Sequence, residues 1–505
     1  MRVVTGCAHR QTEAILPAVT AVAAPNDPLL LLSATQLARM IRAREVSSRD
    51  VVEAHIRRVV EVNPVVNAVV RDRFADARAE ADAADARVRD TAPEELPPFH
   101  GVPCTIKECF ALTGMPQSSG LVARKNFIAA TDATAVARIR RAGAIPLGVT
   151  NTSELCMWME SSNKVYGRTN NPYDPSRTVG GSSGGEGAIV GAGASPFGLG
   201  SDIGGSIRMP AFFNGVFGHK PSGGLVPGSG QHPVAHGVAR KYLTTGPLTR
   251  RAEDLFPLLR LLAGPDGEDP ACETMPLVDP ATVALEGLTV HVVPGDGVRT
   301  VAPSLLAAQQ RAASALAARG ARIVKTDLPE LAQAFDIWGA SMHAAGGASF
   351  ASLLGDGKKF RPALELLRLA TGRSPHTVPS VGLALLERIP AFRPAATLRA
   401  VKLGEELRAG IATLLGERGV IFYPPYPCPA PRHHAPMLPP HGFPFAGIWN
   451  ILHSAVTQVP LGLDDAGLPL GVQVIARPGG DHLTIAVALE LERALGGWVP
   501  PGART

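Results

Sequence analysis

Between Gly180 and Arg208 the chain carries two glycine-rich turns, and together they narrow its possible folds sharply. Gly180-Gly181-Ser182-Ser183-Gly184-Gly185-Glu186-Gly187 runs into Ala188, Ile189 and Val190. The apolar run Phe197 to Leu199 then ends in Gly200-Ser201-Asp202-Ile203-Gly204-Gly205-Ser206-Ile207-Arg208. The first segment reads as a loop entering a helix. The second reads as a strand that ends in a tight turn and delivers a serine. Helix–strand alternation of this kind marks an α/β sheet covered by helices.

The same rhythm extends in both directions. Ser33 is placed to cap a helix carrying Leu37, Met40 and Ile41. Ser47 or Ser48 opens a second helix, with Val51, Val52, Ile56, Val59 and Val60 as its stripe. Ala-rich residues 74–88 predict a third helix, Asp132 a cap for a fourth, and residues 144–149 a strand. Residues 264–280 read as a polar linker. Strands follow at 288–293, 321–325 and 420–423, a helix at 303–319, mostly helical sequence over 331–415, a hairpin from 457–463 to 470–476, and a last helix at 482–494. The expected organisation is a flexible segment 1–28 and one domain over 29–500. That domain comprises a helical layer (29–95), a core (100–262) and a helical entrance region (331–395).

Composition removes several function classes. Net charge is +5 with no dense Lys/Arg run, and aromatics are only 5%, so no nucleic-acid partner is expected. No apolar run is long enough for a transmembrane segment. Glu13, Pro17 and Thr20 interrupt what could pass for a secretory signal, so the expected location is cytoplasmic. The six cysteines form no C-x-x-C pair or metal spacing, and His433-His434 lacks a third ligand, so neither metal nor cofactor is expected.

Three segments carry candidate chemistry. Lys107 sits in the strand-like stretch Val102 to Leu112; alone, it reads first as a lysine with a buried stem and a head in water. The loop at 180–187 could be a tight turn or an anion cradle, although no lysine follows its glycines as a Walker motif requires. The turn at 203–206 can aim consecutive N–H groups at one point, as an oxyanion hole needs. Asp202 and Arg208 bracket that turn, where a buried ion pair is the less costly arrangement. No histidine stands at a triad spacing. A serine could still be activated by a lysine kept uncharged by burial among hydroxyls.

Taken together, these segments resemble the amidase signature family over about residues 30–500. The resemblance rests on Gly101-Val102-Pro103 with Lys107, on Gly143-Ala144 through Glu154, and on the turns at 180–185 and 200–210. Gly218-His219-Lys220-Pro221-Ser222 and Gly467 to Gln473 complete it. It implies an α/β fold with a large mixed, twisted sheet covered on both faces by helices. It also implies an amidohydrolase that forms an acyl-enzyme on Ser206, with Ser182 (preceded in the family by a cis peptide) as bridge and Lys107 as base. Ile203, Gly204, Gly205 and Ser206 would supply the oxyanion N–H groups, and Ser183 would help hold the lysine, with Asp202 and Arg208 in support. Glu186, Ile203, Phe212-Phe213-Asn214-Gly215, His433-His434 and Gly496-Gly497-Trp498-Val499 point to the fatty-acid amide hydrolase branch, and to its second form. The partner so implied is a small-molecule amide, with a homodimer as the candidate assembly.

By the same resemblance Cys156, Met157, Trp158 and Met159 lie near the site. Phe335, Ile337, Trp338 and Met342 are apolar candidates for the entrance; ordinary core packing explains each as well. Hydrophobic acyl or aryl amides are therefore the expected substrates, with esters and carbamates open. Three rival readings stand beside this one. Gly181 to Gly185 formally fits the G-x-S-x-G elbow of α/β-hydrolase esterases, with Ser183 as nucleophile. The A subunit of glutamyl-tRNA amidotransferase, a glutaminase, shares the motifs but carries Thr where this chain has Ile203 and a small residue where it has Glu186. The third is a catalytically silent binding protein.

Overall fold

In the computed structural model, which describes residues 21–503 apart from 388 and 438–441, the helical layer begins as its caps dictate. Ser33 Oγ accepts from Gln36 N–H while Gln36 Oε1 accepts from Ser33 N–H, closing a capping box on helix Ala34–Arg42. Ser47 caps helix Ser48–Val66, whose apolar stripe is buried except at Val60. Two expectations are corrected. Asp132 caps nothing: the N-cap of helix Thr134–Arg141 is Ala133, and Asp132 instead accepts from Thr113 N–H and Oγ1 (both 2.7 Å) and from Arg140 Nη1 (2.8 Å). More donors reach the carboxylate there than a cap would offer. The expected flexible segment 1–28 is also held where it is described. Residues 1–20 lie outside the described residues, but Val22 is buried, its N–H donates to Pro172 O, and Arg58 Nη2 donates to Ala23 O.

The strands are β1 Val69–Asp72, β2 Pro103–Lys107, β3 Ile145–Thr150, β4 Ser162–Asn163, β5 Gly167–Arg168, β6 Phe197–Asp202, β7 Phe217–Lys220, β8 Thr244–Thr249, β9 Thr289–Val292, β10 Arg322–Lys325, β11 Gly419–Tyr423, β12 Ala455–Leu463 and β13 Pro469–Ala476. β4 and β5 pair with each other. The remaining strands form one sheet of eleven in the order β1-β3-β2-β6-β8-β7-β12-β13-β11-β9-β10. It is mixed: β2 runs parallel to β3 and β6, β9 parallel to β10 and β11, and the other pairings are antiparallel. Strands from both sides of residues 264–280 share this sheet. That segment is packed, with Asp266 accepting from Thr134 Oγ1 and Asp269 from Gly228 N–H.

Every residue of β2, β3 and β6 is buried, as central strands covered on both faces must be. Helix Gly184–Gly191 lies against them and inserts Glu186, which accepts from Thr105 Oγ1 on β2 (2.6 Å) and Thr150 Oγ1 on β3 (2.7 Å). A Cβ at Gly198 on β6 would collide with this carboxyl. Burial pushes the Glu186 carboxyl up to about 8. An acid whose pKa rises on folding gives stability that is complete below its unfolded value of 4.5 and lost as pH climbs through about 8. Glu186→Gln is therefore expected to flatten the alkaline limb, so that the variant gains on the parent from about pH 5 to about pH 9 in urea melts. Parallel curves for the two proteins would contradict this.

Candidate active site

Lys107 ends β2 and is fully buried. Its Nζ makes two hydrogen bonds, to Ser182 Oγ (2.7 Å) and to Ser201 Oγ (2.9 Å), and no carboxylate among the described residues forms an ion pair with it. Ser182 follows a cis peptide after Gly181. The loop passes so close to the chain at Trp158–Glu160 that a Cβ on Gly181 would strike Trp158 O and Glu160 N. Ser206 sits on the adjoining turn, where Ser183 N–H donates to Ser206 O (3.2 Å). The Lys107–Ser182 bond is thus made, and Ser206 lies beside it through this backbone contact. No hydrogen bond joins the Ser182 and Ser206 hydroxyls among the described residues.

The Ser206 turn is held from below by a buried ion pair. Arg208 donates to Asp202 through Nε (3.0 Å) and Nη2 (2.9 Å), and also to Ala446 O, Gln473 Oε1 and Asn450 Oδ1. Burial alone would raise the Asp202 pKa; the Arg208 charge and hydrogen bonds outweigh it and hold the carboxyl well below the usual range. Asp202 also accepts from Ile207 N–H (3.0 Å) and Gly205 N–H (2.7 Å). This corrects one expectation: the Gly205 amide, at φ 107°, is already committed to Asp202. The amides of Ile203, Gly204 and Ser206 have no protein acceptor among the described residues.

Ser183 corrects another. Its hydroxyl does not touch Lys107; it donates to Ser201 O (3.2 Å), and Ser201 supplies the second hydroxyl on the amine. Ser201 escapes sequence reading because its place follows from the parallel pairing of β2 with β6, which no local pattern announces. Trp338 Nε1 donates to Ile203 O (3.0 Å), fastening helix Ala334–Ala344 to the turn.

A cavity of about 1430 Å³ opens onto Ser206, Ile203 and Gly204. Cys156, Met157, Trp158 and Met159 all line it, as do Phe335, Trp338 and Met342, whereas Ile337 is fully buried in the core. Its outer wall comes from helices Phe350–Gly355 and Val378–Leu386, and from helix Pro394–Leu415, whose lining residues lie beyond 395. His433 and His434 lie elsewhere: His433 Nε2 is 3.0 Å from Pro175 O, and His434 N–H donates to Glu160. Among the described residues no helix is long and apolar enough to cross a membrane.

The sequence profile of a family described as Amidase matches residues 50–485. The chain is 48% identical to fatty-acid amide hydrolase 2-A of Danio rerio, over 95% of this chain and 92% of that one. It is 47% identical to fatty-acid amide hydrolase 2 of Homo sapiens, over 94% and 91%. Among solved structures, 6-aminohexanoate cyclic dimer hydrolase complexed with substrate superposes with a TM-score of 0.79 at 26% identity, covering 94% of this chain and 99% of that one.

Proposed function

The chain belongs to the amidase family and is an amide hydrolase; on that premise we propose that Ser206, Ser182 and Lys107 carry its reaction and that its substrates are hydrophobic acyl or aryl amides. The observation that carries the catalytic assignment is the setting of Lys107: a buried amine whose hydrogen-bond partners are two hydroxyls and no carboxylate. An uncharged amine there can accept a proton from Ser182 while donating to Ser201.

In the proposed sequence Ser206 Oγ attacks the amide carbon as its proton passes through Ser182 Oγ to Lys107 Nζ. The amides of Ile203, Gly204 and Ser206 receive the negative oxygen. The proton then returns through Ser182 to the departing nitrogen, which leaves poorly unless protonated. Water takes the amine's place, and the same relay activates it against the acyl-Ser206 ester. Five cysteines among the described residues are unpaired, which supports a reducing, cytoplasmic setting.

Substrate class rests on the cavity. Trp158, Met157, Met159, Phe335, Trp338 and Met342 present an apolar wall beside Ser206. Such a wall suits long acyl or aryl groups and gives a glutamine side chain little to bond. Each buried methylene contributes about 0.8 kcal/mol, so four gain roughly 3 kcal/mol, or about a hundredfold. Accordingly, kcat/KM for long-chain fatty amides and anilides is expected to exceed that for acetamide by about a hundredfold or more. Equal or better turnover of acetamide would sink the substrate assignment and leave the catalytic one standing.

A further inference from the structure

The proposed reaction leaves unused two thiols that flank its relay. Cys109 Sγ is 3.7 Å from Ser201 Oγ, the hydroxyl that partners Lys107. Cys156 Sγ is 3.4 Å from Thr152 Oγ1. Both residues line the cavity that holds Ser206, but Cys109 is buried whereas Cys156 is half-buried. Leu155 and Cys156 are consecutive non-glycine residues in the left-handed region, at φ 53° and 60°. That backbone costs energy, and such strain clusters where a side chain is held for use. The turn is anchored by Glu154, whose carboxylate accepts from Thr377 N–H and Oγ1 and lies 2.7 Å from His376 Nδ1.

We propose that Cys156 is a covalent modification site in the cavity wall, reactive toward soft electrophiles that carry an apolar tail, such as α,β-unsaturated carbonyl compounds. The thiol proton moves to the Lys107 amine, and the Cys156 thiolate adds to the β-carbon. A C–S bond forms as the C=C π bond breaks, and its electron pair becomes the enolate. The α-carbon then takes back one proton, so no other reagent is consumed. Hydrogen bonding with the Cys109 thiol, aided by Lys107, Thr152 and Ser182, offsets burial and brings the Cys156 thiol below its ordinary value. Burial pushes Cys109 up, and it pushes up Cys104, Cys272 and Cys428 as well. Of the two thiols that line the cavity, Cys156 is thus both the more accessible and the more readily ionised.

This inference takes from the proposed mechanism only the Lys107 amine, and its test does not read amide turnover. The full-length protein and its Ser206→Ala variant are treated at pH 7 with N-ethylmaleimide or with an N-dodecyl analogue, and modified peptides are followed by mass spectrometry. Cys156 is expected to react at least about tenfold faster than Cys109, Cys272 or Cys428 in both proteins. The dodecyl reagent is expected to react about tenfold faster than the ethyl one. First labelling at another of these cysteines, or a Cys156 that reacts only after urea is added, overturns the proposal. Equal rates for the two reagents overturn its apolar-tail part. Labelling at Cys156 in a protein without amidase activity would leave this site standing and remove the proposed reaction alone.

Discussion

Ser206→Ala is expected to lower kcat for the best amide substrate by about 10⁴-fold or more, because an acyl-enzyme route without its nucleophile retains only the help of binding and the oxyanion donors. Lys107→Ala should fall by a similar amount, and the double variant scarcely further, since residues of one relay are not additive. Initial rates and fluorophosphonate labelling check both. Ser206→Ala should take no label, and Lys107→Ala should take it slowly. Ser183→Ala, by contrast, should retain activity within about tenfold, because its hydroxyl reaches only the Ser201 carbonyl and such a bond is worth about 1 kcal/mol. A Ser183 variant deader than the Ser206 variant would return the esterase elbow to favour. A Lys107→Ala enzyme with full kcat would end the relay.

Asp202→Ala is expected to destabilise the fold by about 3–5 kcal/mol, measured from urea melts, because it leaves Arg208 charged and unpaired where no water reaches. Asp202→Leu combined with Arg208→Met should recover part of that loss, since an apolar pair avoids the stranded charge. The pH profile carries a second signature. A carboxyl depressed on folding gives stability that is complete above its unfolded pKa of 3.8 and lost as pH falls below it. The Asp202→Ala variant should therefore lack part of the parent's acid limb. A loss under 1 kcal/mol, or an unchanged acid limb, would mean that the pair does not hold the turn.

What the sequence discloses here follows how local each feature is. The Ser33 capping box, the apolar stripe of helix Ser48–Val66 and the β12–β13 hairpin are written in short-range spacing, and all form where expected. Lys107, Ser182 and Ser206 are legible as motifs, yet it is the neighbouring strands and turns that bring them together. Ser201 needs the register of β2 on β6, and the Trp338 bond to Ile203 spans 135 residues. Competition decides other details. Gly205 lies among four candidate oxyanion amides, but Asp202 is nearer and claims it. Asp132 reads as a helix cap until Thr113 and Arg140 offer it better donors. Residues 21–28 show no periodicity, yet Val22 and Pro25 are buried, and Pro172 and Arg58 bond the backbone at Val22 and Ala23.

The indole that grips the Ile203 carbonyl has a mechanical consequence. Trp338 lines the cavity and also fastens the turn that, in the proposed reaction, aims the reacting groups. In that reaction a long guest pressing on the indole would bear on the turn that holds the bond being broken. Trimming that guest should slow the chemical step itself, and not merely loosen its grip.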